Sequence, residues 1–147
     1  MQIIKVTRNK KQYLPLLLLA DEEEAMIDRY LERGTMYVLE DGDVKAECLV
    51  TDEGDGILEI KSLATLPQFQ HRGYAKALVN FIEAKYKDRF KILQAGTGDS
   101  PATVPFYQKL GFVRSHIIKN FFTDNYSRPI YDGGVLLTDM VYLRKRL

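Results

Sequence analysis

One junction constrains this chain more than any other. A β-branched, apolar run over residues 57–65 turns through Leu66 and Pro67 and meets Gln70-His71-Arg72-Gly73-Tyr74-Ala75, after which apolar residues recur at helical spacing. The run, Ile57-Leu58-Glu59-Ile60-Lys61-Ser62-Leu63-Ala64-Thr65, follows the turn-forming Glu53-Gly54-Asp55-Gly56 and reads as a strand. Ala75, Leu78, Val79, Ile82 and Tyr86 form the buried stripe of a helix. The first four amides of a helix have no internal partner, and Gly73 and Ala75 leave the main chain around them bare. An anion such as a pyrophosphate can approach such amides closely, helped by the positive end of the helix dipole. The junction is therefore a candidate phosphate cradle made of backbone. It is neither of the two commonest kinds: the chain has no Gly-x-x-x-x-Gly-Lys-Ser/Thr, and no Gly-x-Gly-x-x-Gly after an early strand.

The other segments place this junction in a fold. Residues 2–7 read as a first strand, and 8–12 as a polar connection. Pro15 suits the first turn of a short helix carrying Leu16 to Leu19, because its missing N–H is not needed there. Asp21 reads as an N-cap, with Glu24 completing a capping box before Met26, Ile27, Tyr30 and Leu31, and Gly34 as the stop. The acidic run over residues 21–24 suits a helix dipole better than a cation. Residues 36–40 and 44–51 are strands joined by the hairpin signal Asp41-Gly42-Asp43. Residues 90–95 form a fifth strand. A helical crossover makes it parallel to the strand at 57–65, with the cradle at their shared C-terminal end. A second helix starts near Val104 with Thr103 as N-cap and Gly111 as stop. Residues 112–118 and 136–143 are the last strands, and the connection 119–134 is too long for a plain hairpin loop.

Gln70-x-x-Gly73-x-Ala75 resembles the coenzyme A pyrophosphate loop of the Gcn5-related N-acetyltransferases, the GNAT family, where Gln/Arg-x-x-Gly-x-Gly/Ala stands between the fourth strand and a long helix. Pro67, the strand before it, and Phe106-Tyr107-Gln108-Lys109-Leu110-Gly111-Phe112, which is similar to the family's Tyr-x-x-x-Gly-Phe element, add to the likeness. Element order agrees over nearly the whole chain. The resemblance implies one α/β domain over 1–147: a mostly antiparallel central sheet of about seven strands, strands four and five parallel and splayed, with flanking helices. It implies acetyl-CoA as acyl donor and transfer of its acetyl group to a primary amine, of a small molecule or a protein, by direct attack in a ternary complex.

Site residues follow from the same resemblance. The backbone of Leu63, Ala64 and Thr65 would pair with the pantetheine arm, and the amides of Gln70, His71, Arg72, Gly73, Tyr74 and Ala75 would hold the diphosphate. Tyr107 matches the tyrosine that protonates the departing thiolate; a phenol with pKa about 10 is protonated at neutral pH. Glu59 matches the glutamate base of the histone-acetylating members. Strand alternation puts it on one face with Lys61, Leu63 and Thr65, where a Glu and a Lys two apart serve equally as an ion pair. The family often has an Asn after strand five. Asp99 and Ser100 are the nearest residues here, and Ser100 is the candidate contact to the cofactor. Arg72 serves either as a further phosphate contact or as a solvated side chain.

Composition narrows the partners. The formal net charge is +1, and basic residues gather only at Arg144-Lys145-Arg146, so nothing points to nucleic acid. The single cysteine, Cys48, reads as a small buried strand residue, and no disulfide is available. The longest apolar run, Leu16 to Ala20, is too short for a membrane span, and the expected location is cytoplasmic. His71 and His116 lack ligand-spaced partners, so no metal site is expected. In the connection 119–134, Phe121, Phe122, Tyr126 and Tyr131 suit the wall of an acceptor pocket, and Asp124 and Asp132 suit an ammonium group. The same aromatics equally suit packing on the core or on a second subunit, as in a homodimer. The alternative to an enzyme is a non-catalytic module that binds or senses acyl-CoA and meets a partner through this aromatic lid.

Overall fold

The computed structural model describes residues 1–147. Its elements in chain order begin with β1 (Gln2–Val6), α1 (Leu14–Ala20), α2 (Glu24–Ile27), β2 (Thr35–Asp41), β3 (Asp43–Asp52) and β4 (Ile57–Thr65). They continue with α3 (Tyr74–Tyr86), β5 (Ile92–Gly98), α4 (Val104–Lys109), β6 (Val113–Ile118), α5 (Phe121–Asn125), β7 (Tyr131–Asp132), β8 (Val135–Leu136) and β9 (Met140–Arg146). β1 to β4 form an antiparallel meander, α3 crosses over to a parallel β5, and β9 inserts between β5 and β6. The result is one seven-stranded sheet of order β1-β2-β3-β4-β5-β9-β6, with β7 and β8 as a separate hairpin. This is the mixed α/β sheet expected. No helix is long and apolar enough to cross a membrane, and no three His, Cys, Asp or Glu side chains gather as a cation site.

Each face of the sheet carries its own core. The apolar stripe of α3 (Leu78, Val79 and Ile82) is fully buried against Leu58, Ile60 and Leu93, joined by Tyr107 and Phe112 from the segment after β5. Each such side chain contributes about 1.5–3 kcal/mol by leaving water. On the other face α1 and α2 bring Leu17 and Ile27 onto Val38 and Leu49. The cradle junction is thus fixed on both sides, by β4 in the sheet and by α3 in the larger core.

Two features of β4 shape the site. β4 pairs with β5 only from Ile57 to Ile60, opposite Ile92 to Ala95, although the strands run on to Thr65 and Gly98. Beyond that point β5 pairs only with β9, so β4 and β5 splay apart. The second feature is a bulge. Leu49 lies opposite Ser62 and Val50 opposite Ile60, which leaves Lys61 as the extra residue at the start of the gap.

Several expectations need correction. The bulge breaks the alternation that put Glu59 on one face with Leu63 and Thr65. Leu63 packs toward the core under α3, whereas Glu59 faces away from its neighbours Leu58 and Ile60, which belong to that core. Asp21 caps no helix. It is extended at the end of α1, and its carboxylate accepts hydrogen bonds from the hydroxyls of Tyr30 at 3.2 Å and Tyr126 at 2.7 Å. α2 is a single turn, and residues 28–33 continue as turns. Lys10–Tyr13 is a 3-10 turn, where a plain connection was expected. Thr103 precedes α4 but makes no capping bond, because its hydroxyl pairs with that of Thr97 at 2.7 Å. The last strand begins at Met140, since Leu136 belongs to the small hairpin.

Candidate active site

The cradle has the geometry its sequence predicts. None of the amides from His71 to Lys76 donates to a protein atom, whereas Gln70 donates to the Pro67 carbonyl at 3.4 Å and Ala77 to the Gly73 carbonyl at 2.9 Å. His71 and Gly73 both adopt positive φ, 63° and 86°, and such a turn makes consecutive N–H groups converge on one concavity. A methyl group at Gly73 would meet nothing within 4 Å, so the space in front of the amides is open to a ligand. Leu66 donates to the Lys45 carbonyl, which fixes the phase of the β3–β4 ladder. By antiparallel alternation, Ser62 and Ala64 then exchange hydrogen bonds with β3, while Leu63 and Thr65 turn their amides and carbonyls toward the gap. Of the three strand residues, two therefore offer free backbone, and Ala64 contributes only its place between them.

Two clefts open from this gap. One, about 480 Å³, runs from the cradle along the open side of β4 and includes Thr65, Gln70, His71, Gly73, Tyr74 and Ala75. The other, about 250 Å³, lies toward α1 and the β7–β8 hairpin and includes Asp21, Glu22, Lys61, Ser62, Gly96 and Tyr126. Leu19, Leu63, Thr103, Tyr107 and Asp132 line both, so the clefts meet around Tyr107. Its ring packs edge-on against Phe106 and Phe112. Its hydroxyl hydrogen-bonds to no protein group, and burial holds its pKa above the usual phenol range, with the charges of Cys48 and Glu47 adding to the effect. A neutral O–H donor with no partner of its own stands where the two spaces join.

Glu59, Ser100 and Arg72 line neither cleft. Glu59 is buried, lines neither cleft, and has both oxygens engaged: Gln94 Nε2 donates at 2.6 Å and Lys61 Nζ lies at 2.8 Å. Gln94 is in turn held by Arg144 Nε at 2.7 Å, which makes a network across β4, β5 and β9. Ser100 is buried and accepts from the Ala102 amide at 3.0 Å, outside both clefts. The Arg72 guanidinium lies 5.3 Å from the Phe69 ring centre, and Tyr74 donates to Asp41 at 2.6 Å. Cys48 is fully buried, and burial pushes its thiol well above the ordinary range.

Glu47 is the residue sequence reading missed. It is wholly buried on β3 and takes a 2.5 Å hydrogen bond from Ser62, which lines the smaller cleft. Its other oxygen has no partner, and burial raises its pKa to about 8. The available signal was an ionisable residue within the apolar strand 44–51, but alternation alone does not tell an inward from an outward carboxylate.

Comparison with known proteins agrees with this geometry. A family model described as an acetyltransferase (GNAT) domain matches residues 32–114. The uncharacterized N-acetyltransferase YvbK of Bacillus subtilis strain 168 is 36% identical over 131 residues, 87% of this chain and 84% of its own. A GNAT family acetyltransferase from Elizabethkingia anophelis, solved with acetyl-CoA bound, superposes with a TM-score of 0.92 at 34% identity, covering 99% of this chain and 97% of that one. An acetyltransferase of Bacillus subtilis in complex with CoA superposes with a TM-score of 0.89 at 32% identity, covering 99% and 98%. Matched by the family model across the cradle and the Tyr107 helix, and alike in fold from end to end, the chain belongs to the GNAT acetyltransferase family.

Proposed function

We propose that the protein transfers an acetyl group from acetyl-CoA to a primary amine, by direct attack in a ternary complex. The observation that carries this reading is the meeting of the two clefts at Tyr107. A donor laid along β4 with its diphosphate on the amides from His71 to Lys76 would bring its thioester to the gap, and the smaller cleft leads to the same point. The fit rests on the free amides and the open space at Gly73. Both substrates can be present together, and the one cysteine is too buried and too weakly acidic to carry the acyl group.

The free backbone of Leu63 and Thr65 would pair with the pantetheine amides as a further strand would. Tyr107 donates a hydrogen bond to the sulfur as charge develops there. Because its proton is held more tightly than a thiol's, it passes that proton fully only as the amine nitrogen gives up its own. The acidic groups Asp21, Glu22 and Asp132 at the smaller cleft favour an acceptor that arrives as an ammonium ion. With both oxygens engaged and its own side chain lining neither cleft, Glu59 is better suited to holding Lys61 at the mouth of the gap than to taking a proton from the amine.

The test is thiol release from acetyl-CoA with a panel of benzylamine, putrescine, spermidine and a lysine-containing peptide, beside calorimetric binding of acetyl-CoA. Turnover with at least one amine is expected. Tyr107→Phe should lower kcat on the order of 10²-fold while leaving acetyl-CoA affinity unchanged. Equal turnover by that variant would remove Tyr107 from the chemistry, and cofactor binding without thiol release from any amine would replace the enzyme with a binding module.

A further inference from the structure

Glu47 lies on the sheet face covered by α1 and α2, opposite Val38 on β2 and Ala64 on β4. It is fully buried, Ser62 donates to its Oε1 at 2.5 Å, and its Oε2 has no partner. Leaving a buried carboxylate oxygen unpaired is destabilising, and a neutral core residue of the same shape would avoid it. Nothing in the packing explains why an acid is kept there. Ser62, its one partner, lines the smaller cleft beside Lys61, Leu63 and Tyr107.

The groups that face Glu47 include no cation. Across the ladder stand Val38 and Ala64, and α1 presents only Leu16 and Leu17 as buried residues. Its charge is felt by Tyr30 after α2, by Tyr107 on α4 and by the adjacent Cys48. Behind Tyr30 sits Asp21, a further acid. The carboxyl group is therefore surrounded by apolar groups and weak acids, which makes it a proton acceptor of unusual strength for a glutamate.

We propose that Ser62 and Glu47 relay the proton of the acceptor ammonium, Ser62 by touching the amine and Glu47 as the positioning residue that draws the hydroxyl proton. The inference rests on the acetyl transfer proposed above. The amine N–H proton passes to Ser62 Oγ while the Ser62 hydroxyl proton passes to Glu47 Oε1, leaving a neutral amine, an unchanged serine and a neutral carboxylic acid. After the amine has attacked the thioester and the C–S bond has broken, the second nitrogen proton replaces the one Tyr107 gives to sulfur. Glu47 then returns its proton to solvent through Ser62.

The relay works only from ionised Glu47, so activity should rise with pH through the region of its pKa, about 8. The experiment measures kcat/KM against pH with acetyl-CoA and, in separate series, benzylamine and putrescine, for the wild type, Glu47→Gln, Ser62→Ala and the double variant. Acetyl-CoA binding by calorimetry reports whether each variant is folded. Each single variant should lose on the order of 10²-fold just above pH 8, where Glu47 is ionised and the amines are still ammonium ions, and lose the rising limb near pH 8, with acetyl-CoA affinity unchanged and no further loss in the double variant. Should Glu47→Gln fail to fold, Ser62→Ala, which removes only a hydroxyl, decides alone. A wild-type rising limb that persists in the folded variants, or losses that multiply in the double variant, overturns the relay and leaves the acetyl transfer standing. A wild type that binds acetyl-CoA yet acetylates no amine overturns both.

Discussion

Three ionisable side chains near the gap differ in what surrounds them, and that difference separates what each can do. Glu59 has Lys61 and Gln94 on its two oxygens; Tyr107 has an unpaired hydroxyl at the meeting of the clefts; Glu47 has one serine and no cation. For Glu47 the consequence reaches stability. Its pKa stands at about 8 in the fold against 4.5 for a free glutamate, so between those values the native state binds a proton that the unfolded chain has released. Unfolding free energy from this group is then largest below the lower value, falls as pH rises, and levels off above the upper one. Chemical denaturation across that range should give the wild type a slope about 1.4 kcal/mol per pH unit more negative than Glu47→Gln. The two slopes should agree above about pH 8, where Glu47 is ionised in both states. Parallel slopes throughout would mean that Glu47 is charged in the fold.

At the scale of elements, the junction of β4 with α3 does most to define the molecule. Gly73 holds φ at 86° with open space in front of it, so it is needed for backbone conformation and for ligand approach, not for packing. Gly73→Ala should fold, lose about 1–2 kcal/mol of stability through left-handed strain, and weaken acetyl-CoA binding about tenfold. Calorimetry and thermal melts check both; unchanged affinity would place the diphosphate elsewhere. This junction was legible in sequence because each of its signals is local: a β-branched run, Pro67, the glycine and the 3.6-residue stripe of α3. The bulge at Lys61 was not, since it depends on how β3 and β4 register, and it moved Glu59 to the face opposite Leu63. Asp21 looked like a helix cap for the same reason. Its real partners are Tyr30 and, far along the chain, Tyr126, and local pattern carries no trace of the second.

For the whole molecule, the sheet works as a divider between two cores with one opening in it. The parallel pairing of β4 and β5 ends at Ile60 and Ala95, and Tyr107 stands where the larger and the smaller cleft join at that opening. The segment after β6 walls the smaller cleft and docks beside α1 and α2. Tyr126 bonds Asp21, the Ser127 amide bonds Glu23 at 2.9 Å, and Arg29 bonds Asn125 at 3.1 Å. Its aromatics are partly committed to a small core of Phe122, Ile130 and Leu137, which ties the segment to the protein's own surface. Everything functional in this picture depends on the bare main chain at the opening receiving a coenzyme. Residue-resolved amide hydrogen exchange with and without acetyl-CoA tests that most directly. Strong added protection of the amides from His71 to Lys76 together with Leu63 and Thr65 is the predicted result, and exchange at those amides that saturating acetyl-CoA leaves unchanged would contradict it.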